Sequence, residues 1–408
     1  MRVLPFKSAY TLFLALMVLS GNLHAQMDST LSAQTEPTRK LSIIPLPVIS
    51  SNPTSGLILG VAPSFNWFAG DPSTTSMSTA LGMALVTTKR QLFTSMRSNA
   101  YLKDDAWVIL TDIRFNINNQ PTYGLGTKLF AREHQIPGPL ESADLVKEMI
   151  YFNHFRFYGT ALKRHQKTRF FYRLGYHFDA IYSIEDEELD LESNPQQLTF
   201  HHQYQTLKGL PLEAYRQSGI SMNLLFDSRD NVANPYDGQF MLLSWRVSPE
   251  ALGSTVSGSQ LWVEYRNYFT LNRERPRNLL AFWTYGWTVT GGDLPYMFLP
   301  ALGWDMFSRS GRPYTFGRFR GEDLVYGELE WRFPLQQRKD RFGGVIFVNT
   351  TSASSRTEDV ALFSQFQLGY GLGIRYMVLK KKRVNIGLDY GWGTRGASGI
   401  FLNVNEMF

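Results

Sequence analysis

Four arginines, Arg309, Arg312, Arg318 and Arg320, fall within one segment, 293–322, that carries no strand-like alternation. Three carboxylates, Glu328, Glu330 and Asp389, stand on runs that do alternate, each flanked by apolar residues. An arginine fork can take a carboxylate bidentately, and the pair strengthens where water is restricted. The chemistry this points to is an ion-pair lock between a loop and a wall. The competing arrangement is a solvated outer loop above separately hydrated charges.

Residues for catalysis or metal binding do not assemble in the same way. The seven histidines, His24, His134, His154, His165, His177, His201 and His202, contain no i, i+4 pair with a third ligand and no H-E-x-x-H pattern. His201 and His202 are expected to be a solvated loop pair. No nucleophile-elbow signal is present. The acidic run Glu185 to Glu188, with Asp190 and Glu192, lacks the spacing of an EF-hand and reads as a solvated loop. Neither catalytic residues nor a metal or cofactor are expected.

The elements that must position the charges are strands. From Ile43 to Phe408 the chain alternates apolar and polar residues in short runs separated by turn residues. In the clearest run, Val325, Gly327, Leu329, Trp331, Phe333 and Leu335 share one face while Glu328, Glu330 and Arg332 share the other. Trp107, Ile109, Ile113, Phe115 and Ile117 likewise oppose Asp112, Arg114, Asn116 and Asn118; Tyr172, Leu174, Tyr176 and Phe178 oppose Arg173, His177 and Asp179. Apolar residues outward and charges toward a wet lumen is the pattern of an all-β, antiparallel transmembrane barrel. A charge on the lipid face would cost about 2–4 kcal/mol near the midplane.

Turn chemistry divides the chain into sixteen expected strands: 57–68, 75–88, 90–103, 106–118, 123–132, 148–164, 169–185, 218–230, 238–250, 258–272, 278–292, 323–335, 341–354, 365–380, 383–396 and 398–408. Connections after even-numbered strands are short, and the long ones follow strands five, seven, eleven and thirteen. In outer-membrane barrels the short turns are periplasmic, so both termini are expected on that side. Upstream, Arg2 and Lys7 precede an apolar core from Ala9 to Leu19, and Leu23-His24-Ala25 forms a cleavage site. Residues 1–25 therefore read as a signal peptide, 26–42 as a flexible periplasmic lead-in and 43–408 as the barrel.

Composition agrees: 14% aromatic, 19% charged, 33 glycines and no cysteine. The absence of cysteine excludes thiolate metal sites. The net charge of +6 comes partly from scattered clusters such as Arg273 to Arg277 and Lys380 to Arg383, read as solvated turns rather than a nucleic-acid-binding face.

The stretch Ser218 to Asn231, followed by Asn234-Pro235 and Asp237-Gly238, resembles the recurring strand and turn of the BamA/TamA superfamily, the bacterial surface antigen barrels. Gly317-Arg318-Phe319-Arg320, then Leu324 and the strand ending Glu328 to Leu335, is similar to its sixth-loop signature and twelfth strand. Ile44-Pro45-Leu46-Pro47 with Asn52 to Gly56 resembles the lead into the first strand of its short members. The resemblance implies a sixteen-stranded barrel whose long sixth external loop folds back into the lumen. It also implies that an Arg-Gly-aromatic loop tip pairs with an acidic residue on a nearby strand. Arg312, Pro313 and Tyr314 match that tip, with proline in place of glycine. Members carry periplasmic POTRA modules, for which residues 26–42 leave no room.

Two functional classes follow. In one, the barrel takes part in outer-membrane biogenesis, by protein insertion, translocation or lipid transfer, through a seam between its first and last strands. Its partners would be outer-membrane lipid and unfolded outer-membrane proteins or a separate periplasmic protein. Pro63, which lacks an N–H, Gly399, and Phe408 on the face of Ile400, Leu402 and Val404 mark that seam. In the other, it is a passive channel or structural barrel.

Overall fold

Alternating, β-branched and aromatic runs bounded by turn residues leave each strand with one apolar and one polar face, and a sheet closed on itself satisfies both. In the computed structural model, which describes residues 41–45, 47–75, 77–127, 147–164, 170–194, 196–231, 234–306, 308–336, 341–380 and 383–408, this is what forms. The chain is a closed antiparallel barrel of sixteen strands. β1 runs in two pieces, Ser42–Ile44 and Pro47–Asn52, and β2 in two, Gly56–Val61 and Ser64–Trp67. Then come β3 (Ser78–Thr87), β4 (Leu92–Tyr101), β5 (Trp107–Thr122), β6 (Glu148–Arg164), β7 (Phe170–Asp186) and β8 (Ala214–Asp227). The second half is β9 (Gly238–Ser248), β10 (Gly258–Thr270), β11 (Leu279–Gly291), β12 (Asp323–Pro334), β13 (Phe342–Ala353), β14 (Gln367–Leu379), β15 (Val384–Gly393) and β16 (Ser398–Val404). One short helix, α1 (Phe200–Leu207), lies between β7 and β8.

The strand number is the expected one, but two assignments differ. Residues 42–52 form the true first strand, so the expected opening strand 57–68 is β2. Pro45, Pro47 and Pro53 disguise β1 as a loop; β1 and β2 are each broken beside a proline, Pro45 and Pro63. The expected strand 123–132 does not form over 123–127, and 128–132 lie outside the described residues. Instead the Gly126 amide donates to Arg320 O (2.6 Å) and the Thr127 amide to Ala353 O (3.0 Å), tying this segment to the 292–322 loop and the end of β13. The expected signal peptide and most of the lead-in, with His24, His134 and His165, also lie outside the described residues.

Outward faces are strongly apolar: Leu174 is 66% exposed, Met222 63% and Leu372 54%. A belt of this kind around a whole barrel belongs in lipid, not water. Among the described residues no helix is long and apolar enough to cross a membrane, so the strands supply the span.

The interior is not uniformly wet. Tyr268, Trp283, Tyr285, Tyr314, Phe319 and Tyr326 from β10–β12 and the 292–322 loop form a buried core together with Met407 and Phe408. On the β4–β9 side, inward charges such as Arg97 and Arg246 keep 27% and 21% of their side chains exposed. A barrel with every strand paired resists detergent until heated. Unheated protein is therefore expected to run on gels as a compact, faster band that shifts on boiling, with a β-rich circular dichroism spectrum. A helical spectrum, or recovery in the soluble fraction, would contradict the fold.

Candidate functional site

Strict alternation on β12 and β15 turns Glu328, Glu330 and Asp389 inward, opposite Leu329, Trp331, Leu388 and Tyr390 on the outer face. Facing them, the loop brings Arg312. Its Nη1 donates to Asp389 Oδ2 at 2.5 Å, and its Nη2 donates to Glu328 Oε1 and Glu330 Oε1. All four side chains are 0% exposed. The guanidinium lies 3.9 Å from the Phe347 ring centroid, and the Arg312 carbonyl accepts from Asn349 Nδ2 at 2.5 Å.

Glycine on the facing wall makes this approach sterically possible. A Cβ at Gly369 would stand 2.6 Å from the Arg312 carbonyl oxygen, and one at Gly391 2.9 Å from Pro313 Cβ. The run Gly369-Tyr370-Gly371-Leu372-Gly373 thus alternates large residues outward with a bare inner stripe against which the loop tip lies.

The cluster extends beyond the residues expected from sequence. Arg375 pairs with Asp389 and, through Nε at 2.7 Å, with Glu406; Arg332 pairs with Glu330 at 2.6 Å. Four carboxylates thus enclose the guanidinium groups of Arg312, Arg332 and Arg375. Arg332 and Arg375 carry a signal that was available, since they alternate with outward apolar residues just as Glu330 does. Glu406 carries none, because it lies beyond the end of β16.

That end is where the expectation for Phe408 fails. β16 stops at Val404, Asn405 takes a φ of 68°, and the last residues turn into the barrel. Phe408 is 3% exposed, packed at 5.3 Å from the Trp283 ring centroid, with Arg332 Nη2 donating to its carbonyl oxygen at 3.1 Å. It does not face lipid with Ile400 and Val404. Arg309 Nη1, from the loop, donates to Glu406 O at 2.8 Å and so joins the loop to the same tail.

The other loop candidates are placed elsewhere. Arg318 lies 4.0 Å from the Tyr123 ring centroid. Arg320 is fully buried, donates to Tyr296 O at 3.0 Å, and has its guanidinium 5.1 Å from both the Tyr296 and Trp304 ring centroids. Burial holds Arg320 below the usual guanidinium range and pushes the Tyr296 phenol up to about 12. Tyr314, beside Arg312, donates to Leu368 O at 2.5 Å and bonds Thr394 Oγ1 at 2.9 Å, so it anchors the tip to β14 and the turn after β15.

The barrel closes between β16 and β1, where the ladder is sparse. Among the described residues its register is reduced to Leu402↔Ser51, helped by Ser50 Oγ donating to Leu402 O at 2.5 Å. By contrast β15 and β16 pair from Ile386↔Val404 to Trp392↔Ser398. Gly399 is at this seam, so close to the first turn that a Cβ there would collide with Pro53. Pro63 is not: it belongs to the break in β2, and its carbonyl accepts from Gly82 on β3 at 2.9 Å. The proline within the seam strand is Pro47, whose missing N–H suits a weakly paired edge.

Parts of three groups expected to be solvated make defined contacts. His201 is buried on α1, with Nδ1 2.8 Å from Asp186 Oδ2. In the same acidic run Glu188 accepts from the Met149 amide at 2.7 Å and Glu187 from Tyr151 Oη at 3.1 Å. In the basic clusters, Arg277 is buried and Arg383 reaches Asp230 at 2.6 Å. Among the described residues no group of histidines and carboxylates is arranged to hold a metal ion.

A sixteen-stranded barrel with an apolar belt, a loop tip paired inside it and a thin closing seam defines a transmembrane barrel of the outer-membrane kind. The family comparison agrees: residues 149–378 match the Omp85 superfamily domain, and the chain belongs to that superfamily. It is accordingly a bacterial outer-membrane protein. Among solved structures it is similar to BamA from Haemophilus ducreyi lacking POTRA domains 1-3, with a TM-score of 0.61 and 12% identity over 90% of this chain and 70% of that one. It is also similar to CdiB from Acinetobacter baumannii, with a TM-score of 0.54 and 12% identity over 90% of this chain and 60% of that one. No curated protein matches the sequence.

Proposed function

We propose that this barrel acts in outer-membrane biogenesis, inserting or translocating protein, or transferring lipid, through the β16–β1 seam. The observation that carries the reading is the contrast between that seam, reduced to Leu402↔Ser51, and the continuous ladders on either side of it. Opening there breaks few hydrogen bonds and exposes a strand edge to which an incoming strand can add. Membership of the Omp85 superfamily supports the same reading. In this account Arg312 locks the sixth loop while the seam works, and the protein uses no catalytic residue, metal or cofactor. Residues 1–25 direct export and 26–42 form a periplasmic lead-in. Short connections face the periplasm, with both termini on that side, and the partners are outer-membrane lipid and unfolded outer-membrane proteins or a separate periplasmic protein.

Depleting the protein and quantifying the outer-membrane proteome and lipids tests this. Loss of many barrels identifies general insertion, loss of one protein a dedicated translocation partner, and loss of lipid asymmetry lipid transfer. If all three are unchanged, and the purified barrel gives a large steady conductance, the passive-channel reading replaces this one.

A further inference from the structure

The inner wall opposite the lock carries charge of the other sign. Arg97 on β4, Arg114 on β5, Arg156 on β6 and Arg246 on β9 face inward around two carboxylates, Asp112 and Asp179. Asp112 is taken by Arg114, whose Nε donates at 2.8 Å, with Arg97 farther off at 3.5 Å. Asp179 has three hydrogen-bond partners, His154 at 2.9 Å, Arg156 at 2.7 Å and Tyr158 at 2.5 Å, and a longer ion pair with Arg246 at 3.6 Å. The Tyr158 ring has the Arg156 and Arg246 guanidinium carbons 4.5 and 4.8 Å from its centroid. Arg246 Nη2 also donates to His177 Nδ1 at 3.2 Å, and His177 Nε2 lies 2.6 Å from Ser221 Oγ. Among the described residues this places four guanidinium groups around two carboxylates, a surplus of two positive charges.

Part of that surplus already holds an oxygen. Arg97 Nη2 and Arg114 Nη2 both donate to the carbonyl oxygen of Met306, on the 292–322 loop, at 3.3 and 3.0 Å. Two forks converging on one oxygen from different strands is the geometry in which arginines hold an oxyanion, and a carbonyl carries only part of the charge such a site can accept. Unlike the lock, this wall is partly open to the barrel interior, with side-chain exposures of 27% at Arg97 and 21% at Arg246.

We propose that Arg97, Arg114, Arg156 and Arg246 form a phosphate-binding site on the inner wall, in which the Met306 carbonyl stands where a phosphate oxygen binds. A dianion matches the surplus charge, and the Tyr158 ring lies against two of the forks. Binding there competes with the loop for Arg97 and Arg114. The site does not depend on seam opening.

Calorimetric titration of the full-length barrel in detergent with inorganic phosphate at low ionic strength tests the proposal. Saturable binding is expected. Losing two charged donors in the double variant R97Q/R246Q should weaken it by about ten-fold or more for each. The charge-matched variant K208Q/R273Q, altered in connections outside the strands, should bind as the wild type does. Heat-modifiability verifies that each variant is folded. Displacement of phosphate by a short-chain anionic glycerophospholipid would assign the site to a lipid headgroup; failure to displace would assign it to free phosphate. No saturable binding to the folded wild-type barrel, or equal binding by R97Q/R246Q, would overturn the proposal.

Discussion

Replacing Arg312 with alanine is expected to release the 292–322 loop and lower the temperature at which the compact band is lost. The substitution leaves Glu328, Glu330 and Asp389 facing one another with no exposure to water and without the cation that separates them. Breaking a buried pair by removing one partner typically costs about 3–5 kcal/mol, because the remaining charge is uncompensated. Arg332 still reaches Glu330 and Arg375 still reaches Asp389, so Glu328 bears most of the loss. Lysine should rescue poorly, since a point charge cannot serve three carboxylates as a planar fork does. Arg318→Ala removes a stacking contact on Tyr123, an interaction of about 0.5–2 kcal/mol, and should leave the loop in place. The measurements are limited proteolysis of the loop and the heat-modifiability midpoint. Arg312→Ala behaving like Arg318→Ala in both would remove the lock. A buried network of this kind need not stabilise the barrel overall, because desolvation offsets much of the attraction. Its use is positional: it gives the loop one place to be.

Much of this site could be read from periodicity. The alternation around Glu328, Glu330 and Asp389 fixed their facing, and four loop arginines were evident as candidate partners. Periodicity alone leaves open which arginine pairs; the resemblance points to Arg312, and choosing it over Arg318 or Arg320 on physical grounds depends on the bare glycine wall of β14 and β15 that receives Pro313. That wall was visible as a glycine at every second residue from Gly369 to Gly373, but as a pattern of missing side chains it carries no charge or hydropathy to notice. Alternation gives the right number of strands, yet the prolines of β1 hide that strand, and apolar residues beside glycines in 123–132 imitate another. Phe408 departs from the alternation for a local reason. Alternation says nothing once Asn405 leaves the extended region, and the tail then follows the ion pairs of Glu406 and the aromatic packing of Phe408, both distant in sequence.

The seam carries the functional account and can be closed chemically. The chain has no cysteine, so a pair introduced at Ser51 and Leu402 would be the only thiols present. Directly opposed antiparallel residues have Cα atoms about 4.5–5.5 Å apart, within the range a disulfide spans. The matching control is the pair at Leu388 and Leu402, which crosslinks β15 to β16 where no opening is proposed. The decisive measurement is outer-membrane protein and lipid content in cells depleted of the native protein and supplied with S51C/L402C under oxidising and then reducing conditions. The account predicts a folded, heat-modifiable barrel that is inactive while the seam is crosslinked, active again on reduction, and active throughout for L388C/L402C. Full activity with the S51C/L402C crosslink formed would contradict it.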